Sequence, residues 1–288
     1  MRLIFLGTGG GRTVTRLQAR NTGGFFIEIN DEESVYIDPG PGAIVHANRL
    51  KLKLYKLKCL FVSHAHIDHS NDANMIIEAM TLGMNKKRGT VVGSKSVVEG
   101  YESIEKVLTE YHKSGVENVL AVEKGDVINF ESFSLRITEA KHTDPTCVGF
   151  IMEVNDEKNN EKLRMGYSAD TVFFREIAEQ YKNCDLLILN CLYDVNKYKG
   201  MDVAYAKHMD KDDAVEFLAI AKPKECIIQH YGMGIVKIGP EKIAREIEER
   251  SGIKVHAVRD YDEFLISEDK IVKNENKQLN LANFGRLA

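Results

Sequence analysis

Residues 61–69 read Phe61-Val62-Ser63-His64-Ala65-His66-Ile67-Asp68-His69, and they bring four metal-binding side chains into six positions. The chain has only 9 histidines in 288 residues, so three of them in so short a segment indicate a site rather than a chance collection in a polar loop. Alternation along an extended segment points His64 and His66 to the same side. Imidazole suits zinc and a carboxylate adds a harder oxygen ligand, so the cluster can hold two neighbouring ions.

Composition and length bound the class of protein. Hydrophobic residues make up 43% of the chain and charged residues 28%, which is typical of soluble globular proteins. We expect a single domain over residues 1–288, with the polar stretch from about 270 to 288 as an extension. The net charge of −4 gives no global attraction to nucleic acid or membranes. The first apolar run is too short for a signal peptide, and five scattered cysteines indicate reduced thiols, so we predict a cytoplasmic protein.

Hydrophobic patterns predict both strands and helices, with helices interspersed among strands in each half of the chain. This order is typical of an α/β sandwich in which helices lie outside two sheets. Strands are predicted at 2–6, 25–29, 34–37, 58–62, 91–92, 127–130, 134–137, 148–154, 163–167, 184–189 and 226–228. Helices are predicted at 72–84, 97–111, 211–221 and 240–251.

The glycine-rich segment Gly7-Thr8-Gly9-Gly10-Gly11 follows the first strand, as a phosphate-binding loop would. It lacks the Lys-Ser/Thr pair of a P-loop, and no helical pattern begins at once, as a dinucleotide-binding fingerprint requires. We therefore predict no nucleotide cofactor, and interpret the segment as a flexible loop near a site.

Three further candidate ligands stand where apolar strands end. His142, Asp170 and His230 each follow such a strand, and open sheets place their chemistry at strand ends. Taken singly, each is more often a surface or capping residue. Because a two-ion site needs more ligands than residues 64–69 provide, the cluster favours a metal-binding role for all three.

In this order, His64-x-His66-x-Asp68-His69 followed by His142, Asp170 and His230 resembles the metallo-β-lactamase superfamily over nearly the whole chain. The resemblance implies a metallo-β-lactamase-like αββα sandwich, with two mixed β-sheets flanked by helices and the metals at one edge. It implies that His64, His66 and His142 hold one ion. It further implies that Asp68, His69 and His230 hold the second, and that Asp170 bridges them. Two zinc ions are expected, with manganese or iron as alternatives.

Two further residues bear on the site and its chemistry. Asp38 resembles the family's strand-end aspartate that supports the ligands, although an Asp that starts a turn before Pro39 explains it equally well. The family's di-iron redox members carry Glu after the second His, where this chain has Ile67, so hydrolysis is favoured.

His208 distinguishes among the hydrolytic branches. It precedes an acidic helix start and then the strand that leads to His230, which is similar to the ribonuclease Z and phosphodiesterase branch. There the matching histidine assists the phosphate or the leaving group. The resemblance thus implies a dinuclear zinc phosphodiesterase that uses a metal-bridging hydroxide, with Asp68 and His208 as catalytic residues. A histidine that flanks a helix and has no role is the simpler alternative.

Several departures from that branch shape the expected substrate. We find no arm of the kind that grips transfer RNA, the basic loop at 84–89 is more simply a solvated turn, and the acidic balance disfavours a large RNA footprint. A small phosphodiester is therefore preferred over an RNA end cut by a transfer-RNA 3′-processing endonuclease. An acyl hydrolase, either a lactonase or a thioesterase, would use the same seven ligands. A non-catalytic metal sensor is a further alternative, and a homodimer is expected by resemblance alone.

Overall fold

The computed structural model describes residues 1–156, 161–197, 199–201, 207–267 and 270–274. Within these ranges the strands form two mixed sheets, one of eight strands and one of seven, with helices flanking them. The predicted αββα sandwich is confirmed. Residues 275–288 of the expected C-terminal extension lie outside the described residues. No helix in the described part of the chain is both long and apolar enough to cross a membrane.

The first sheet has the strand order β15-β14-β1-β2-β3-β4-β5-β6. Its strands are β1 (Arg2–Phe5), β2 (Phe25–Glu28), β3 (Ser34–Ile37), β4 (Leu57–Val62), β5 (Thr90–Ser94), β6 (Asn118–Val122), β14 (Glu263–Ser267) and β15 (Lys270–Lys273). The strands predicted at 25–29 and 34–37 are present as β2 and β3, which pair antiparallel with Phe26 opposite Tyr36. Strands β3 to β6 run parallel, so their carboxyl ends meet at one edge.

The second sheet has the order β13-β12-β11-β10-β9-β8-β7. Its strands are β7 (Val127–Asn129), β8 (Phe133–Glu139), β9 (Val148–Asp156), β10 (Glu161–Tyr167), β11 (Leu186–Asn190), β12 (Glu225–Gln229) and β13 (Lys254–Ala257). Strands β7 to β10 are antiparallel and β10 to β13 are parallel. The ends of β8, β10 and β12 therefore point the same way, because two antiparallel steps separate β8 from β10.

The helices are α1 (Gly11–Leu17), α2 (Ala43–Arg49), α3 (Ile67–Ser70), α4 (Ala73–Met80), α5 (Lys95–Val98), α6 (Glu110–Ser114), α7 (Arg175–Gln180), α8 (Lys211–Ala221), α9 (Met233–Ile238) and α10 (Pro240–Ser251), with a 3₁₀ turn at Leu54–Lys56. The bounds predicted for α8 and α10 are confirmed. Asp210 and Asp213 form a capping box that starts α8.

Two helix predictions were wrong in extent. The helix expected at 97–111 is two short helices, α5 and α6, because Gly100 and Glu102 adopt positive φ angles of +85° and +51° and break the helical path. The helix expected at 72–84 ends at Met80, since Leu82 has a φ of +55°. In both segments the apolar spacing suits a helix, but the backbone turns before the pattern ends.

The core between the sheets depends on the apolar strands. Strand β4 is buried on both faces: Phe61 faces the second sheet and stacks edge-on against Phe150 at 4.8 Å, while Leu60 and Val62 pack in a second cluster with helix α4. Phe25 of β2 meets Tyr167 of β10 at 5.1 Å across the same core. This packing fixes the ends of the two sheets against each other.

Candidate metal centre

All seven predicted ligands, together with His208, meet at one edge of the sandwich. His64 and His66 follow β4, and Asp68 and His69 lie on the short helix α3 that the same segment enters. The other ligands come from the second sheet, at the ends of strands that run the same way: His142 lies beyond β8, Asp170 beyond β10 and His230 beyond β12.

Four groups of these side chains have donor atoms that all lie within 4.8 Å of one another. They are His64-His66-His142, His64-His69-Asp170, Asp68-His69-His230 and His142-Asp170-His208. The first and third groups are the two ligand sets expected from the resemblance. Asp170 belongs to two groups and lies between those sets.

Asp170 is the central anion of the cluster. Its side chain is 1% exposed, and its Oδ2 lies 3.2 Å from Nε2 of His230 and 3.3 Å from Nε2 of His69. The same oxygen lies 3.6 Å from Nδ1 of His208, 3.8 Å from His142 and 4.0 Å from His64. Burial raises the pKa of Asp170, but the neighbouring histidines, chiefly His230 and His69, outweigh it and hold the pKa well below its ordinary value.

The imidazole tautomers can be assigned from hydrogen bonds at the outer nitrogens. Ser63 Oγ donates to Asp38 Oδ2 at 2.7 Å, so the 2.9 Å contact with His64 Nδ1 requires this nitrogen to be the donor. His69 Nδ1 donates to Asp38 Oδ2 at 2.9 Å, and His142 Nδ1 donates to the Lys207 carbonyl at 2.9 Å. In the neutral form of each ring, Nε2 therefore presents a lone pair to the centre. Burial lowers the pKa of His69, but Asp170 and Asp38 outweigh it and raise the pKa well above its ordinary value, so a metal ion would displace a proton there.

The inner nitrogens fit a metal ion. Among the described residues, the buried Nε2 atoms of His64, His69 and His230 have no hydrogen-bond partner of acceptable geometry. A buried polar atom left without a partner costs about 1–3 kcal/mol, and three of them converge here on one carboxylate. Divalent cations satisfy such lone pairs, and neutral imidazoles held by a hydrogen bond at the far nitrogen are the usual protein ligands for them.

Asp38 supports the centre, and its geometry decides between the two interpretations that the sequence left open. The side chain is buried and accepts hydrogen bonds from Ser63 N and Oγ at 2.7 Å each, from His69 Nδ1 at 2.9 Å and from Tyr167 Oη at 2.6 Å. It thereby orients His69 directly and His64 through Ser63. A turn-initiating role alone would not place the carboxylate on these donors.

Two supporting residues were missed from the sequence. Asp144 is fully buried and accepts from Ala65 N at 3.0 Å, which fixes the backbone between His64 and His66. Asn190 ends β11 and donates from Nδ2 to Asp170 Oδ1 at 2.8 Å, so only Oδ2 faces the histidines. A polar residue at the end of an apolar strand was the available signal for Asn190, whereas Asp144 carried no separate signal.

The glycine loop is packed against the site rather than flexible, and helix α1 begins at Gly11, contrary to the sequence prediction. Only Val14 of α1 is buried, so the helix shows no apolar rhythm. Gly11 N donates to Asp68 Oδ2 at 3.0 Å. Gly10 lies flat against His230, and a Cβ built there would come within 2.3 Å of the imidazole Cγ.

We expect Gly10→Ala to weaken metal binding by about 10–100-fold, since displacing His230 should cost as much as the loss of an outer contact to a ligand. Competition for zinc with a chromophoric chelator would measure this affinity. Gly234→Ala is the matched control: Gly234 lines the same cleft, but a Cβ there meets nothing within 4 Å. Equal zinc affinities for wild type and Gly10→Ala would contradict the role given to the loop.

A cleft of about 410 Å³ opens beside the cluster, and Asp68, Asp170, His66 and His208 form its floor. Burial lowers the pKa of His208 to about 3, although Asp170 raises it in part, and burial likewise lowers the pKa of His142 to about 4. Both rings are therefore neutral at pH 7. His208 can donate one hydrogen bond into the site from an N–H without carrying charge.

Comparisons with known proteins agree with this geometry. A family model described as the Beta-lactamase superfamily domain matches residues 33–231. The chain belongs to the metallo-β-lactamase superfamily. It is thus a hydrolase of a superfamily whose fold implies divalent metal binding, and the His/Asp groups described above supply suitable ligands.

Individual members of the superfamily show how far the similarity extends. An uncharacterized protein of Methanocaldococcus jannaschii is 37% identical over 261 residues, covering 90% of this chain and 92% of that protein. The ribonuclease Z of Methanosarcina acetivorans is 29% identical over 151 residues, which is 51% of this chain and 46% of the enzyme. The crystal structure of the metallo-β-lactamase fold protein YhfI from Bacillus subtilis superposes with a TM-score of 0.69 at 18% identity, covering 91% of this chain and 98% of that chain. At that identity the structural likeness concerns the fold alone.

Proposed function

We propose that this metallo-β-lactamase superfamily member is a dinuclear metal-dependent phosphodiesterase that acts on a small phosphodiester. The observation that carries the proposal is the position of His208, whose Nδ1 lies 3.6 Å from Asp170 Oδ2 and whose ring lines the open cleft. A hydrogen-bond donor beside two cation sites suits a phosphoryl group, which carries charge on several oxygens during transfer. Similarity to ribonuclease Z enzymes supports the same reaction class.

The ligand groups support the following proposal for two ions. His64, His66 and His142 would hold one ion, while Asp68, His69 and His230 would hold the other, with Asp170 shared. Zinc is the expected metal, and manganese or iron are the alternatives for this ligand set. When bound, such a pair lowers the pKa of a water molecule and stabilises negative charge on phosphoryl oxygens.

The protein's own groups orient the reaction. Gly11 N holds Asp68 Oδ2, and the carboxylate forms part of the cleft floor, where it can accept a hydrogen bond from the attacking water. Burial raises the pKa of Asp68, but His69 and His230 outweigh this and lower it, so the acceptor stays charged at neutral pH. His208 donates to a phosphoryl oxygen; its role as proton donor to the leaving group stays a prediction.

Replacing His208 by Ala should lower kcat/KM for phosphodiesters by about 10–100-fold, the loss expected for one hydrogen bond to a charged group. Diesters with p-nitrophenolate and with alkoxide leaving groups would be compared. A uniform loss is expected for a phosphoryl hydrogen bond, whereas a loss confined to alkoxides would indicate proton donation. His112→Ala is the control, since His112 contacts Glu78 on α4. Wild-type turnover in His208→Ala would remove this residue from the reaction.

A substrate screen tests the proposal as a whole. Metal-loaded protein would be assayed with bis(p-nitrophenyl) phosphate, a lactone, a thioester and a 3′-extended transfer RNA. We expect turnover of the phosphodiester. Turnover of the lactone or thioester alone would make the chain an acyl hydrolase, which uses the same ligands, and cleavage of the RNA alone would make it a 3′-processing endonuclease.

A further inference from the structure

The cleft beside the metal centre has a largely apolar wall. Its apolar lining residues come from α1, α3, the segment after β11, and α9, and they are Val14, Ile67, Leu192, Tyr193 and Met233. At about 410 Å³ the cleft falls within the range of small-molecule sites. Its size and lining thus suit one compact organic group rather than an extended chain.

Charge in the cleft is sparse. Among the described lining residues, Arg12 is the one charged side chain besides the predicted ligands Asp68 and Asp170. The polar remainder consists of Thr13, Thr143, the histidines and glycine backbone. A polynucleotide end brings one negative charge per nucleotide, and proteins that hold such chains neutralise several phosphates with Lys and Arg. The lining therefore favours a substrate with a single anionic group.

Ile67 places apolar surface next to the reacting atoms. It stands between the ligands His66 and Asp68, yet 62% of it is exposed. The Tyr193 ring also lines the cleft and stands nearly perpendicular to the His208 ring, with centroids 6.1 Å apart. Apolar surface thus flanks the position where a phosphoryl group would contact His208.

From these observations we infer that the cleft is a subsite for an uncharged apolar or aromatic ester group that stays on phosphorus, so that the substrate class is a monoanionic phosphodiester with a ring on the ester oxygen that is not cleaved. The inference rests on the proposed phosphodiesterase function and narrows it. Burial of the ring against Ile67, Tyr193 and Met233 would position the phosphorus over the cluster, while the exposed Arg12 also lines the cleft.

The test uses two substrates that share one leaving group. Phenyl p-nitrophenyl phosphate and methyl p-nitrophenyl phosphate both release p-nitrophenolate, so their ratio of kcat/KM, divided by the ratio of uncatalysed rates, reports binding of the other ester group. Burial of the additional ring carbons should favour the phenyl diester by about 10–100-fold. A second measurement needs no turnover: phenylphosphonate should bind the metal-loaded protein more tightly than methylphosphonate.

Met233 provides a variant pair. Met233→Glu places a charge in the cleft and should bring the phenyl/methyl ratio close to one, whereas Met233→Leu should keep it. Any general repulsion of the phosphate acts on both substrates and cancels in the ratio.

The outcomes separate the two proposals. Equal corrected kcat/KM values for the two diesters would overturn the subsite and leave the phosphodiesterase standing. Faster cleavage of a 3′-extended RNA than of either diester would also overturn it. If neither diester is hydrolysed, the proposed function fails, and the phosphonate comparison still decides whether the apolar subsite exists.

Discussion

Asp170→Ala is expected to lower turnover of bis(p-nitrophenyl) phosphate by at least about 10³-fold, because the variant loses the proposed shared ligand and with it several kcal/mol of transition-state stabilisation. The carboxylate Oδ2 lies within 4.0 Å of nitrogen atoms from five histidines. Without this carboxylate, the repulsion between two neighbouring cations would no longer be reduced by a negative charge between them. Bound metal per chain, measured by elemental analysis after zinc loading and dialysis, should fall together with the initial rate.

Asp170→Asn is the matched variant for this experiment. It keeps the size of the side chain but removes the negative charge that the clustered histidines surround. We expect it to lose metal and activity nearly as fully as the Ala variant. Unchanged turnover in protein that has lost its metal would contradict the assignment as a metal-dependent hydrolase, whichever substrate is used.

Asp38→Ala is expected to have the second largest effect, although Asp38 is not in the predicted ligand set. Removing its carboxylate leaves the Ser63 hydroxyl, the Tyr167 hydroxyl and His69 Nδ1 without their buried acceptor. Breaking a buried charged network of this kind costs about 3–5 kcal/mol of folding stability. Because the His69 ring would no longer be oriented by a hydrogen bond to Asp38, metal binding should also weaken by about 10–100-fold.

Two measurements separate support of the ligands from support of the fold. Urea unfolding of the metal-free protein gives the stability change, and chelator competition gives the zinc affinity. Tyr167→Phe serves as control, since it removes one donor to Asp38 and leaves the contact with His69 intact. A large loss of stability with wild-type zinc affinity would make Asp38 a residue of the fold alone.

Much of the sandwich was predictable because its central strands are nearly all apolar. Strand β4 is buried at five of six positions, and its pattern predicted both its own place and the delivery of His64. The two edge strands of the first sheet, β6 and β15, gave no comparable signal: both are short and half exposed, so their residues are mixed in polarity. The first and last residues of α8 and α10 could be predicted from the sequence. Helix α8 begins at a capping box, and α10 begins at a proline and is followed by a glycine.

In the candidate site, the predicted ligands could be identified from the sequence, but the residues that support them could not. Ligand types are rare and chemically distinctive, so His142, Asp170, His208 and His230 could be selected from strand and helix ends, and the structure brings them together. Their supports depend on contacts between distant segments. Asn190 reaches Asp170 across 20 residues, and Gly10 packs on a histidine 220 positions away. No local sequence pattern predicts such contacts, because the residues flanking Asn190 and Gly10 give no sign of the distant partner.

The division of ligands between the two sheets has a mechanical consequence. His64, His66, Asp68 and His69 come from the first sheet's segment, while His142, Asp170 and His230 come from the second. Ions held by both sets would tie the layers together at their open edge, much as a cross-link does. Part of the free energy of ion binding would then appear as folding stability, because the two sheets could not separate at this edge without releasing the ions.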